Sequence, residues 1–272
     1  ISLDAIGQFF DLSMPVNGRR TEINVGIDIK EGEGKYLKSK VVTISPRFII
    51  TNDLSEELNI NEIGSSKILS IKPGESLPLN QTCIGEDKEL RIRFLGSNSK
   101  WSSPFSVNDI GEIFLKILKQ ETGHILLKVV VILENATLFI RFEDAGNHWP
   151  YSIRNFSNTE FVFYQSNPYI DEQGAPVKKD SHFKPIFYKI PPKSVMPYAW
   201  DYPAGIVKEL VLRSHGKDKS IQLAEIGNIG VMYLPQFKNL MAAATDINIV
   251  ADGPTQALVI SDADPLNIYR NS

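Results

Sequence analysis

An internal repeat limits what this chain can fold into more than any other feature of its sequence. Residues 48–62 have the same pattern as residues 149–165, and a shift of 103 residues places Asn52 on Asn155 and Leu58 on Phe161. In each copy a strand leads to a turn at the asparagine and then to a second strand with apolar residues at alternate positions. The repeat predicts two copies of one structural unit, with the asparagine at a fixed place in each.

A second repeated phrase supports this period. Residues 1–7, 105–111 and 221–227 each end in a glycine, with apolar residues six, four and one positions before it. The pattern predicts a strand that ends at a glycine with a positive φ or a bulge, because glycine adopts such conformations without strain. The first phrase begins in the middle of its pattern at Ile1, so we expect a piece of a larger protein.

Strand patterns at short intervals predict an all-β fold. Apolar and polar residues alternate in residues 22–29 and 40–44, turn residues separate them, and helical periodicity is nearly absent. A period of about 100 residues suits one β-sandwich. We therefore predict tandem antiparallel β-sandwich modules with little helix, the first over residues 1–147 and the second over residues 148–272. Residues 1–47 either complete the first module or are the closing strands of a preceding one.

The second copy carries an insertion. Between Gln165 and Ile190 the shift between the copies grows from 103 to 119 residues, so 16 residues are added. Residues 166–180 are polar and contain proline and glycine, which predicts a surface loop.

Composition excludes several classes of function. The chain has 42% apolar residues, 22% charged residues and a net charge of −3, so no overall charge draws it towards nucleic acid or anionic lipid. Cys83 is the only cysteine, so no disulfide forms within the chain and a cytosolic compartment is favoured. No apolar run reaches the roughly 20 residues that a membrane span needs.

The sequence contains no recognisable catalytic or metal-binding motif. Its four histidines are scattered and lie away from Cys83, whereas a zinc site needs clustered nitrogen and sulfur ligands. The phosphate-binding patterns G-x-G-x-x-G and G-x-x-x-x-G-K and the nucleophile pattern G-x-S-x-G are absent. A Ser–His–Asp triad assembled by the fold stays open. We expect no enzyme activity, no cofactor and no metal.

Aromatic residues are concentrated in the second module, and they are its candidate binding residues. They include Phe161, Phe163, Tyr164, Tyr188, Tyr198 and Trp200. Most are expected in the core, but alternation along a strand places Phe163 and Tyr164 on opposite faces. One of these two must leave the core or be covered by another segment.

Four segments of the second module resemble the adaptor-binding (VAB, or SHR-binding) domain of the vacuolar protein sorting-associated protein thirteen family. They are residues 149–151, 153–157, 163–165 and 197–201, and residues 48–62 match more loosely. The resemblance implies tandem β-sandwich modules, six in the family, each with one signature asparagine. Asn52 and Asn155 occupy that position here, and the chain is similar to the last two modules.

The resemblance also implies a function. Proteins of this family are bridges that move glycerophospholipids between organelles, and this domain recruits them by binding Pro-x-Pro motifs of adaptor proteins on endosomes, mitochondria or the prospore membrane. It implies a cytoplasmic protein at membrane contact sites, part of a full-length lipid-transfer protein, with no nucleic-acid partner. The residues expected to bind the peptide or to support its groove are Asn155, Phe161, Phe163, Tyr164, Tyr188, Tyr198 and Trp200.

Several alternatives stay open at the level of sequence. The asparagine either pins a turn through its own backbone contacts or offers its amide to the peptide. The peptide either docks on an aromatic-lined groove or adds a strand to a sheet edge. Different functions would be a β-domain that holds acyl chains between its sheets, or a carbohydrate-binding sandwich with Trp149 and Trp200 as stacking surfaces.

Overall fold

The computed structural model describes residues 9–16, 20–85, 88–96, 99–120, 123–170, 173, 175, 183–235 and 243–263. These residues form 22 strands and one short 3-10 helix, Gly34–Tyr36, and contain no α-helix. The all-β prediction is confirmed. The strands are β1 (Phe9–Pro15), β2 (Thr21–Glu31), β3 (Lys40–Pro46), β4 (Phe48–Asn52), β5 (Leu58–Glu62), β6 (Ile68–Ile71), β7 (Ser76–Pro78), β8 (Gln81–Cys83), β9 (Glu89–Phe94), β10 (Phe105–Ser106), β11 (Gly111–Lys119), β12 (Gly123–Glu134), β13 (Thr137–Asp144), β14 (Tyr151–Asn155), β15 (Phe161–Gln165), β16 (Tyr188–Ile190), β17 (Ser194–Tyr198), β18 (Leu210–Ser214), β19 (Lys217–Ile221), β20 (Gly227–Leu234), β21 (Ala243–Asp252) and β22 (Thr255–Asp262).

The chain divides into two compact units, residues 1–146 and 147–272. In the first unit the sheet β11-β12-β13-β4-β7 packs on the sheet β10-β9-β5-β6. The core between them includes Ile50, Ile92 and Ile117, which are fully buried. Alternation of apolar residues produces this core, because every second side chain of a strand points to the same face.

The second unit repeats this arrangement. Its sheet β17-β14-β22-β21-β20 packs on the sheet β16-β15-β18-β19. The core contains Phe161 and Phe163 from β15 and Ile247 and Leu258 from the facing sheet, and all four are fully buried.

One feature of each sandwich differs from a purely antiparallel module. The first and last strands of each sandwich lie side by side and run parallel, β4 beside β13 and β14 beside β22. The remaining pairs are antiparallel. Because the first and last strands run in the same direction, the chain enters the sandwich at one end of these two strands and leaves it at the opposite end.

Strand registers give a residue-by-residue equivalence between the two sandwiches. Ile60 of β5 is opposite Leu69 of β6, as Phe163 of β15 is opposite Tyr188 of β16. In the other sheet, Pro78 and Pro197 take the same place: Pro78 is opposite residue 49, and Pro197 is opposite residue 152. The shifts of 103 and 119 residues expected from the sequence therefore hold in the paired strands.

Strands β1, β2 and β3 form a further sheet within the first unit, and β8 joins this sheet by pairing with β2. Among the described residues, neither sandwich takes a strand from residues 9–46. The order and direction of β1-β2-β3 repeat those of β11-β12-β13. Gly26 of β2 lies so close to Ala136 that a Cβ there would overlap it, which fixes a small residue at this contact.

The repeated glycine phrase has a different local structure from the one predicted. Gly111 and Gly227 have φ values of +130° and +139°, so the positive φ is present. Each glycine, however, opens a long strand, and the residues before it form a turn after a short strand. A turn is the physical reason, since the chain must pass from one sheet to the other before β11 and β20 begin. The first copy, residues 1–7, lies outside the described residues, as does most of the insertion at 166–180.

Two further features are absent from the described part of the chain. None of its helices is long and apolar enough to cross a membrane. None of its groups of histidine, cysteine, aspartate and glutamate side chains has an arrangement that could hold a metal ion.

Candidate functional site

The two signature asparagines are fully buried and join the two sheets of each sandwich. At the end of β14, the Asn155 amide nitrogen donates to the carbonyl oxygens of Thr159 at 2.7 Å, Pro191 at 3.0 Å and Ile190 at 3.2 Å. Its amide oxygen accepts from the backbone nitrogen and the hydroxyl of Ser157, at 3.1 and 2.7 Å. Because Ile190 ends β16 in the facing sheet, this side chain pins the turn and ties the sheets together.

Asn52 makes the corresponding contacts at the end of β4. Its amide nitrogen donates to the carbonyl oxygens of Glu56 at 2.9 Å and Ile71 at 3.1 Å, and its oxygen accepts from the backbone nitrogen of Leu54 at 3.1 Å. Both asparagines have no exposed side-chain surface. The amides thus satisfy buried backbone groups and are not presented at the surface.

A second equivalent pair shows how a substitution between the copies is compensated. In the second unit, Gln165 donates its amide to the carbonyl oxygen of Tyr202 and accepts from the backbone nitrogen of Tyr202. In the first unit, Glu62 accepts from the backbone nitrogen of Cys83 at 2.8 Å but has no amide to donate. The carbonyl oxygen of Cys83 instead accepts from the ammonium group of Lys88 at 2.5 Å.

Lys88 also connects the N-terminal sheet to the first sandwich. Its ammonium group forms a buried ion pair with Glu22 of β2. Lys88 and Glu22 are 5% and 7% exposed, so removing either partner would leave an uncompensated buried charge.

Five aromatic residues of the second unit form a cluster, here called the aromatic box. They are Tyr151, Phe163, Tyr188, Tyr198 and Trp200. Tyr188 stacks on Phe163 with 5.2 Å between ring centroids and an angle of 17° between ring planes. Tyr198 meets Phe163, Tyr188 and Trp200 edge to face at 5.5, 5.9 and 5.7 Å. Such edge-to-face contacts hold the rings in defined orientations.

Hydrogen bonds at the border of the aromatic box fix it further. The Tyr188 hydroxyl donates to a carboxylate oxygen of Asp201 at 2.6 Å, and the Trp200 indole nitrogen donates to the Tyr151 hydroxyl at 3.1 Å. Burial, reinforced by Asp201, raises the pKa of both Tyr188 and Tyr198 above the ordinary tyrosine value. Both hydroxyls therefore stay protonated at neutral pH.

Most of the predicted site residues lie in the core and not at the surface. Phe161, Phe163 and Tyr198 are at most 1% exposed, and Trp200 is 7% exposed. Trp200 is therefore not available as a stacking surface for a carbohydrate, because its ring lies inside the aromatic box.

Tyr164 is the predicted site residue that leaves the core. It lies on the outer face of β15 beside Phe187, with 4.8 Å between ring centroids. The guanidinium of Arg213 lies 5.4 Å from the Tyr164 ring centroid and donates to its hydroxyl at 3.2 Å. The alternation argument for Phe163 and Tyr164 is confirmed, with Phe163 inside and Tyr164 outside.

Exposed apolar side chains mark one edge of the second sandwich. Strands β16 and β17 are neighbours, and each ends its own sheet. Three apolar residues here are exposed: Ile186 (44%) and Phe187 (55%) come just before β16, and Val195 (58%) lies on β17. We call these three residues, with the edges of β16 and β17, the edge surface. Among the described residues, its apolar side chains lie beside two strand edges that pair with no further strand.

Sequence analysis does not select Ile186 or Val195. Prolines offer only a partial signal for them, since proline cannot donate to a neighbouring strand and is confined to edge strands, to the first residue of a strand or to bulges. Pro185, Pro191, Pro192 and Pro197 surround the edge surface.

Comparison with known proteins gives one family and several relatives. The family model described as "Vacuolar-sorting associated protein 13, adaptor binding domain" matches residues 1–207. The intermembrane lipid transfer protein VPS13 of Chaetomium thermophilum is 39% identical over 271 residues, which cover 100% of this chain and 8% of that protein. Human VPS13D is 27% identical over 191 residues, covering 66% of this chain and 4% of that protein, and Dictyostelium discoideum vps13D is 31% identical over 155 residues, covering 55% and 3%. The chain thus spans less than a tenth of the length of these relatives.

Proposed function

The chain belongs to the family of adaptor-binding domains of vacuolar-sorting associated protein 13, and from this membership we propose that its second sandwich binds Pro-x-Pro segments of adaptor proteins. Through that binding the domain recruits a longer lipid-transfer protein to organelle membranes and membrane contact sites. It acts as a peptide receptor and not as an enzyme. The adaptors are proteins of endosomes, mitochondria or the prospore membrane.

The edge surface is the observation that supports this proposal. Two neighbouring strands end their sheets, and within the described residues no further strand pairs with the outer side of either. Sheet edges present backbone donors and acceptors that a peptide strand can pair with. Phe187 and Val195, each more than half exposed, offer apolar contacts beside those edges.

The spacing of a Pro-x-Pro motif suits addition to such an edge. In an antiparallel strand the backbone N–H and C=O groups of alternate residues point to opposite sides. Two prolines separated by one residue therefore lack donors on the same side, and the middle residue keeps its N–H for the domain. Both proline rings also point to the same face of the peptide strand, so both can contact the same apolar side chain, either Phe187 or Val195.

The aromatic box and Asn155 give this edge a rigid base. Tyr188 belongs to β16 and Tyr198 to β17, and both pack on Phe163. Asn155 holds the carbonyl oxygens of Ile190 and Pro191, which begin the connection between β16 and β17. A rigid edge lowers the entropy that a flexible peptide and its receptor lose together on binding.

Isothermal titration with a Pro-x-Pro adaptor peptide and its Pro→Ala control tests the proposal. We expect a dissociation constant on the order of 1 µM for the peptide, because ordering a flexible segment offsets part of the contact energy, and no binding of the control. Val195→Asp, which places a charge on the edge surface, should weaken binding by about tenfold or more.

Val250→Asp is the matched control variant. Val250 is 40% exposed and lies on β21, an inner strand that β14 and β22 separate from β17 in the same sheet. It should bind the peptide as the unmodified protein does. Equal loss in both variants, or unchanged binding by Val195→Asp, would place the peptide elsewhere.

A further inference from the structure

The first sandwich contains a cavity that the second sandwich fills with aromatic rings. The cavity has a volume of about 330 Å³, and its lining includes Ile60, Glu62, Lys67, Leu69, Leu79 and Gln81. This volume lies at the lower end of the range found for small-ligand sites. The cavity lies between β5 and β6 of one sheet and the residues that follow β7 of the other.

Strand registers show that this cavity occupies the position of the aromatic box. Cross-strand partners match residues of β5 and β6 with residues of β15 and β16, and the position of Pro78 matches that of Pro197. Residues one and three positions after each proline then correspond. Four lining residues, Ile60, Leu69, Leu79 and Gln81, thus occupy the positions of Phe163, Tyr188, Tyr198 and Trp200.

Loss of four rings explains why the space is open. Aliphatic and amide side chains replace the rings of the second sandwich, and interiors do not close completely around such truncations. Ile60 and Leu90 are buried at 2% and 1% exposure and provide an apolar floor. Lys67 and Gln81 are exposed and give the cavity a polar mouth.

The charges and hydrogen-bonding groups in the lining limit the ligand. Glu62 is 9% exposed, and its carboxylate would repel an acidic ligand in this partly buried setting. The same carboxylate and the side-chain carbonyl of Gln81 can accept a hydrogen bond. The Lys67 ammonium group at the mouth can lie over the face of a ring. A neutral aromatic ring that carries an N–H donor meets all of these conditions.

We propose that this cavity binds a tryptophan side chain presented by a protein partner. The ring takes the space that the second sandwich gives to its own Tyr198 and Trp200, and the indole N–H faces the acceptors of the lining. The site is separate from the edge surface of the second sandwich, and it does not depend on recognition of Pro-x-Pro peptides there.

Methyl NMR of the intact chain, titrated with N-acetyl-tryptophanamide, tests this assignment. We expect saturable shifts of the methyl signals of Ile60, Leu69 and Leu79. N-acetyl-leucinamide, an apolar probe without a ring, should shift the same signals at least tenfold less at equal concentration. No saturable shift with the tryptophan probe, or an equal response to the leucine probe, would overturn the proposal.

Variants that copy the second sandwich into the first give the matched control. The double variant Leu79→Tyr/Gln81→Trp should fill the cavity and weaken binding of N-acetyl-tryptophanamide by at least tenfold. Because Gln81 also pairs with β2, Leu69→Tyr on the sheet edge is a second way to fill the space if the double variant does not fold. Shifts that persist in a folded, filled variant would show that the probe binds outside this cavity.

Discussion

Truncation of the signature asparagine provides the most direct test of how each sandwich is held together. In Asn155→Ala, three carbonyl oxygens lose the amide nitrogen, and Ser157 loses the acceptor of both its backbone nitrogen and its hydroxyl. A buried hydrogen bond contributes about 1 kcal/mol net, and a buried group left without a partner costs about 1–3 kcal/mol. The Ser157 hydroxyl keeps the carbonyl oxygen of Thr159 as an acceptor, which offsets part of the loss. We therefore expect the second unit to lose about 3–5 kcal/mol of unfolding free energy.

Native-state hydrogen exchange in increasing urea measures this loss within the second unit, through the amides of β14 and β18. Asn158→Ala is the control, because Asn158 lies in the same turn and its side chain makes an exposed hydrogen bond to Asp262. That variant should cost less than about 1 kcal/mol. If Asn155→Ala costs no more than Asn158→Ala, the buried amide does not hold the two sheets together.

Three further predictions concern other parts of the chain. Asn155→Ser should weaken binding of a Pro-x-Pro peptide by about tenfold in a calorimetric titration, because it releases the connection between β16 and β17. Unchanged affinity in the folded variant would show that peptide binding does not depend on Asn155. Ile140→Ala should lower the free energy of unfolding measured in urea by about 2–5 kcal/mol. Ile44→Ala, at a residue of β3 that is 68% exposed, should change this free energy by less than about 0.5 kcal/mol. Similar losses in the two variants would contradict the difference in burial between these two residues. Burial raises the pKa of Glu62, so its carboxyl group binds a proton more readily in the folded state than in the unfolded state, and the free energy of unfolding should rise as pH falls from 7 through the folded-state pKa. Glu62→Gln should flatten that part of a plot of melting temperature against pH. An unchanged plot would exclude Glu62 as the group responsible.

Exposed apolar residues on β3 bear on the part played by residues 9–46. Ile44 of β3 is opposite the buried Ile27 of β2, and Ile140 of β13 is opposite the buried Val131 of β12. Ile140 is fully buried, whereas Ile44 is exposed. We propose that residues 9–46 are the closing strands of another copy of the module, whose second sheet would cover Ile44.

Much of the architecture follows from local patterns in the sequence. Alternation of apolar residues determines the strands and the face that each turns inward, because strand geometry has a period of two. Alternation also separates Phe163 from Tyr164 without any knowledge of the sheets. The repeat identifies Asn52 and Asn155 as equivalent, since two copies of one unit need the same turn in the same place.

Contacts between residues distant in the chain were decided only by the tertiary structure. Local patterns do not reveal that β4 pairs in parallel with β13, that Lys88 replaces a donor missing from Glu62, or that Trp200 is enclosed. They also do not show which strands end their sheets, and the edge surface depends on that. The sequence by itself thus determined the strands, their inward faces and the repeated asparagine, because these depend on the geometry of a single strand or turn. The tertiary structure decided the partners, the edges and the cavity, because these depend on which strands lie next to each other.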